Sequence, residues 1–131
     1  MSTLQEFLNA NPVDNLTDEV AISPRFGSLK FKIKAMTNRE FDDIRKRATR
    51  ISKGRKVEFD AQAFNTTVII NHTLQPDFKD AESIKKLGCT TSEEYLNRVL
   101  LSGEIASLAA EIQKLSGFDV EMEDLVEEAK N

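Results

Sequence analysis

Few side chains in this 131-residue sequence could do chemistry. His72 is the single histidine and Cys89 the single cysteine. A histidine acting as a general base needs a reacting partner and a group that orients the ring. No neighbour in the sequence identifies either, so His72 reads as a partly buried polar residue with a hydrogen-bond partner. Cys89 falls in a turn and lacks the local signatures of cysteine enzymes. One Cys and one His leave no internal disulfide, no Cys-cluster zinc or iron–sulfur site and no multi-histidine metal site. The acidic pairs Asp42/Asp43, Glu93/Glu94 and Glu127/Glu128 are adjacent, and adjacent residues diverge on a helix. They do not make the facing carboxylates of paired-carboxylate catalysis. Gly27 and Gly54 are isolated and lack phosphate-loop spacing. No cofactor or metal is expected, and the chain reads as a protein that works by binding, not as an enzyme.

Composition bounds the class. The length suits one domain over residues 1–131. Hydrophobic residues at 40% and charged residues at 31% suit a soluble globular chain. No apolar run approaches the ~18 residues of a membrane helix, and Met1–Ala10 lacks the basic and apolar regions of a signal peptide. The expectation is a cytoplasmic protein with no membrane partner.

The net charge of −4 conceals a strong asymmetry. Met1–Pro24 carries −4, Arg25–Lys56 carries +9 and Val57–Asn131 carries −9. Within the basic block, Arg45, Lys46, Arg47 and Arg50 form one basic surface. Such a block could gain affinity for nucleic acid through counterion release. However, no aromatic residues alternate with the basic ones for base stacking. The alternative is attraction between the basic block and the acidic half, within one fold or between subunits.

Spacing then places the elements. Ser2 and Gln5 have capping-box spacing ahead of Leu4, Phe7 and Leu8, which predicts a short amphipathic helix ending near Asn9–Pro12. Glu19–Ser23 and Leu29–Met36 look extended. The second alternates Leu29, Phe31, Ile33 and Ala35 against Lys30, Lys32 and Lys34, which predicts a half-buried hairpin strand. A lysine-bearing edge of this kind resists aggregation; pairing through it is one route to a homo-oligomer. Thr37 and Glu40 form a second capping box. They open a helix carrying Phe41, Ile44, Ala48 and Ile51 on one side and the basic surface on the other.

After a brief extended segment at Val57–Phe59, Asp60 caps a helix running to about Leu74, with Phe64, Val68 and Ile69 inward. Gln75-Pro76-Asp77 breaks the chain. Asp80 caps a short helix through Leu87, with Gly88 past its end. Thr91 and Glu94 open a helix bearing Tyr95, Leu96, Val99 and Leu100. Ile105, Leu108, Ala109, Ile112 and Leu115 form the stripe of the next, ended by Gly117. Asp119 caps a last helix carrying Met122, Leu125, Val126 and Ala129. Together these elements predict an α+β fold, mostly helical, with an N-terminal β-hairpin packed on about five or six helices. Residues 1–36 form the short helix and hairpin, and 37–131 the helical part.

The ordered motifs resemble a known family. Leu100-Leu-Ser-Gly-Glu-Ile105, Gln113-Lys-Leu-Ser-Gly-Phe-Asp119 and Asp124-Leu-Val-Glu-Glu-Ala-Lys-Asn131 are similar to the XkdN-like tail assembly chaperones of tailed phages and prophages. The Leu4-Gln-Glu-Phe-Leu8 start, Ile22-Ser-Pro-Arg-Phe26 and Thr37-Asn-Arg-Glu-Phe41 add to it. Ser102 stands where the family pattern has proline. The resemblance implies a factor that binds the tape measure protein, keeps it soluble in the bacterial host cytoplasm, assists tail tube assembly and stays out of the virion. It also implies contact with the tail tube protein and, in many members, a longer form made by a programmed −1 frameshift. Ala129-Lys130-Asn131 can be encoded by a slippery heptamer. A small nucleic-acid-binding regulator and a structural tail-completion protein are the competing readings. Met122, Leu125 and Val126 are the candidate partner contacts, since a terminal helix is the easiest to undock.

Overall fold

A computed structural model of the chain describes residues 3–10, 16–51 and 53–118. The elements run α1 (Thr3–Ala10), β1 (Thr17–Val20), a 3-10 turn (Pro24–Phe26), β2 (Phe31–Lys34), α2 (Asn38–Arg47), β3 (Thr49–Ile51), β4 (Val57–Phe59), α3 (Ala61–His72), β5 (Thr73–Gln75), α4 (Ala81–Lys86), α5 (Ser92–Val99) and α6 (Ser102–Leu115). This is the expected α+β arrangement of mostly helices with a small antiparallel sheet near the N-terminus. The expected last helix, from Asp119 onward, lies outside the described residues, as do Ser2 and the Asn11–Pro12 turn.

The hairpin forms, with its first strand earlier than the spacing suggested. Thr17 pairs with Lys34 and Val20 with Phe31. Alternation is kept: Phe31 and Ile33 are buried, and Lys32 and Lys34 point the other way. One expectation is corrected. β5 adds along the opposite side of β2, so the strand order is β1-β2-β5 and the lysine-bearing strand is central. Both sides of β2 are hydrogen-bonded, so it offers no free edge to a second subunit.

α3 is the helix at the centre of the helical packing. It buries Phe64, Thr66, Val68, Ile69 and His72, and packs on α2, α5 and α6. It ends at His72, two residues before the expected Leu74, because Thr73 leaves helical geometry and enters the sheet directly. A second correction concerns Ile51. α2 stops at Arg47, and Thr49–Ile51 turns into a two-stranded ribbon with Val57–Phe59. Ile51 is 78% exposed and leaves the helical stripe to which its spacing assigned it. The part after residue 36 therefore holds three strands as well as helices.

The core joins the inner sheet face to the helices. Phe31, Ile33, Val68, Ile69, Phe78, Leu96, Leu108 and Ile112 are all at most 1% exposed. Each such side chain contributes roughly 1.5–3 kcal/mol of burial. Phe78 meets Tyr95 edge-on at 5.8 Å. Its neighbours are turn formers, so the sequence pattern does not mark it as core.

Two polar features are set against this core. Arg25, in the 3-10 turn, donates from Nε and Nη2 to the two oxygens of Glu104, at 3.0 and 2.6 Å. It also donates to the Val99 carbonyl at 2.8 Å, and its guanidinium lies 4.4 Å from the Phe26 ring centre. Glu104 additionally accepts from the Leu101 amide at the start of α6. The Arg25 hydrogen bonds outweigh burial and hold the Glu104 carboxyl down at about 2. The second feature is His72, 1% exposed, whose Nε2 lies 4.0 Å from a Glu40 oxygen. Burial pushes its pKa below the ordinary value, against the opposing pull of Glu40.

Both features produce pH dependence with a definite sign. Glu104 has a depressed carboxylate pKa, so its contribution is present above pH 4.5 and is lost as pH falls toward about 2. Glu104→Gln should lower the melting temperature by a constant gap above that upper limit, and acid titration should close the gap. His72 binds its proton less readily when folded. Wild-type stability should therefore fall below pH 6.5, with a slope of at most about 1.4 kcal/mol per pH unit from this group. In His72→Leu that part of the slope should vanish, as read by urea unfolding between about pH 7 and 5.

Candidate partner-binding surface

Four phenylalanines from four parts of the chain meet at one cleft. Phe41 lies one turn into α2. The Thr37 hydroxyl accepts from the Glu40 amide, and the Glu40 carboxylate accepts from the Thr37 amide, so the capping box is closed. Phe59 and Phe64 bracket the α3 N-cap. Asp60 accepts from the Ala63 amide at 3.0 Å, which places Phe59 just before the cap and Phe64 in the first turn. Their ring centres are 5.5 Å apart, the contact of a hydrophobic staple. Phe118 follows the end of α6. Gly117 takes φ +100, its amide donates to the Lys114 carbonyl, and the Phe118 amide donates to the Gln113 carbonyl at 2.9 Å. This double closure is a Schellman motif, for which glycine is the favoured residue. It brings Phe118 to 4.9 Å from the Phe41 ring.

The cleft between these rings has a volume of about 310 Å³, with Arg45, Ala61, Asn65 and Gln113 completing its lining. Phe59 and Phe118 remain 53% and 46% exposed. A neighbouring cleft of about 280 Å³, lined by Asp60, Gln62, Thr66, Thr67, Glu93 and Asn97 among others, is mainly polar. Among the described residues, no three His, Cys, Asp or Glu side chains converge as metal ligands, and no helix is long and apolar enough to cross a membrane.

The residues singled out in the sequence have separate fates. Arg45 pairs with Asp42 at 3.0 Å, and Arg50 reaches across the ribbon to Asp60 at 2.9 Å. Lys46 and Arg47 are exposed on α2. His72 is enclosed in the core, away from every cleft described above. Cys89 is half-buried beside the Leu87 carbonyl. Met122, Leu125 and Val126 lie outside the described residues. The phenylalanine cleft itself escaped sequence reasoning. Its one local signal was the Phe59-Asp60-x3-Phe64 spacing of a staple; Phe41 and Phe118 join only through tertiary packing.

The comparisons with known proteins bear on this architecture. The family model described as phage XkdN-like tail assembly chaperone protein matches residues 4–130. The phage-like element PBSX protein XkdN of Bacillus subtilis (strain 168) is 30% identical over 138 residues, covering 98% of this chain and 93% of the relative. YqbN of the same organism is 31% identical with the same coverage. The crystal structure of YqbN superposes with a TM-score of 0.68 at 27% identity, covering 91% of this chain and 99% of that one. The chain belongs to the phage XkdN-like tail assembly chaperone family.

Proposed function

We propose that this chaperone binds the tape measure protein of its own phage or prophage, keeps that chain soluble in the host cytoplasm, and is released before the particle is complete. Family membership over nearly the whole chain is the observation that supports this reading. The structure is compatible with it in a specific way. A chaperone for an aggregation-prone helical chain must present apolar surface while staying folded itself. Here Ile51, Val57, Phe59 and Phe118 are exposed on elements anchored to a closed core. Contacts with the tail tube protein, and a frameshift-extended product, belong to the same proposal. The exposed positions of the basic surface weigh less toward nucleic acid now that Arg45 and Arg50 are seen held by Asp42 and Asp60.

Co-expression is the direct test. A tape measure fragment encoded by the same genome should gain soluble yield and co-purify with this chain; an insoluble fragment without co-purification removes the reading. Mass spectrometry of purified particles should find the chain missing, and stoichiometric presence would favour a tail-completion protein. Codons for Ala129-Lys130-Asn131 other than a slippery heptamer would dismiss the frameshift.

A further inference from the structure

The phenylalanine cleft does not end at Phe59. In the β3–β4 ribbon, Thr49 pairs with Phe59 and Ile51 with Val57. Residues two apart in a strand share a face. Ile51, Val57 and Phe59 therefore form one apolar face, while Arg50 and Glu58 lie on the other. Ile51 and Val57 are 78% and 70% exposed. The strip runs from this pair through Phe59 into the cleft. Its length is that of a helical contact. Val57 to Phe59 spans about 7 Å along the strand, and one further ring step of 5.5 Å reaches Phe64. Anchors at i, i+3 or i+4, and i+7 of a helix cover about 10 Å.

Basic residues prevail along the chain that builds the strip, with Arg45 and Arg50 held by Asp42 and Asp60 and Glu58 on the ribbon's other face. Between Ile44 and Val57 the chain carries seven basic residues and no acidic one. Lys46, Arg47, Lys53 and Arg55 among them are exposed. Duplex or single-stranded nucleic acid would match the charge and leave the aliphatic strip unused. A helix with an apolar stripe bordered by acidic residues uses both.

We propose that the β3–β4 apolar face and the adjoining phenylalanine cleft form one docking surface for an amphipathic helix of a partner protein, with acidic residues flanking its apolar stripe. That the helix belongs to the tape measure protein rests on the function proposed above; the chemistry of the surface does not.

Two synthetic peptides of about 18 residues test it. Both carry Leu at i, i+3, i+4 and i+7 repeats; one has Glu at the flanking positions and the other Lys. Fluorescence anisotropy with the full-length chain should show the Glu peptide binding at least about tenfold tighter than the Lys peptide, and weakening as salt rises from about 50 to about 500 mM. Phe59→Asp and the double variant Ile51→Asp/Val57→Asp should each weaken the Glu peptide at least about tenfold. The double variant changes two exposed side chains, so its melting curve should stay near wild type. Equal binding of the two peptides, or binding untouched in the folded double variant, overturns the proposal.

Two further outcomes also overturn it by naming another occupant. One is Glu-peptide binding that appears only after Glu121, Glu123, Asp124, Glu127 and Glu128 are changed to Gln, since the chain's own segment would then fill the surface. The other is a dimer in sedimentation that Phe59→Asp dissociates. Co-purification separates this proposal from the functional reading. If the double variant still retains a tape measure fragment, the surface is wrong and the function stands. If wild type retains no fragment yet binds the Glu peptide, the surface stands and the function falls.

Discussion

α3 is apolar on several sides, and a helix of that kind must be enclosed. That requirement organises the described residues. α2, α5 and α6 each pack against it. Its C-terminus passes without a loop into β5, which joins β2 and so fixes the sheet relative to the helices. Its N-terminus is held by Asp60, whose carboxylate caps the helix with one oxygen and takes Arg50 with the other. The same residue therefore seats α3 and steadies the β3–β4 ribbon. The Asp60 amide also donates to the Ala48 carbonyl at 2.8 Å, closing the base of that ribbon. Core helix and exposed apolar face are thus joined through a few neighbouring residues.

Much of this was legible in local sequence, and the reason is that caps and stripes are local devices. Thr37 with Glu40, Asp60, Gly88 and Gly117 all mark helix ends where spacing put them. The α6 stripe buries Leu108, Ala109 and Ile112 as its period requires. What escaped is non-local. Thr73-Leu-Gln75 has no period of its own over three residues; it is a strand because β2, some 40 positions earlier, needs a partner. Ile51 fitted a helical stripe equally well until Val57 paired with it. Arg25 and Glu104 are 79 residues apart, and nothing near either one announces the other. The candidate surface divides in the same way. Its basic rim and its Phe59–Phe64 staple are visible in the chain, whereas its aliphatic face depends on a ribbon that the pattern concealed. The family was legible through the ordered motifs, and composition alone led only to a binding protein.

The charge asymmetry acquires a structural account. Arg25 to Glu104 and Arg50 to Asp60 each join the basic block to the acidic half. These bonds satisfy part of the attraction inside one chain. Exposed pairs of this sort contribute little to stability, and Arg50 is such a case. Glu104 differs because its carboxylate is nearly enclosed, so its partner is a condition of burial. The positive charge left over is concentrated beside the one exposed aliphatic pair of the ribbon.

The closing of the sheet onto α6 has a consequence for synthesis. The Ser116 hydroxyl donates to the Ile112 carbonyl and accepts from the Met36 amide, joining points 80 residues apart. β2 leaves the ribosome long before its covering helix exists. At about 5–20 residues per second the interval is about 4–16 s. For about the first half of it Phe31 and Ile33 belong to a nascent chain that lacks β5, and until its end one that lacks a complete α6. A protein whose task is to shelter another chain from aggregation must itself pass through a comparable exposure each time it is translated.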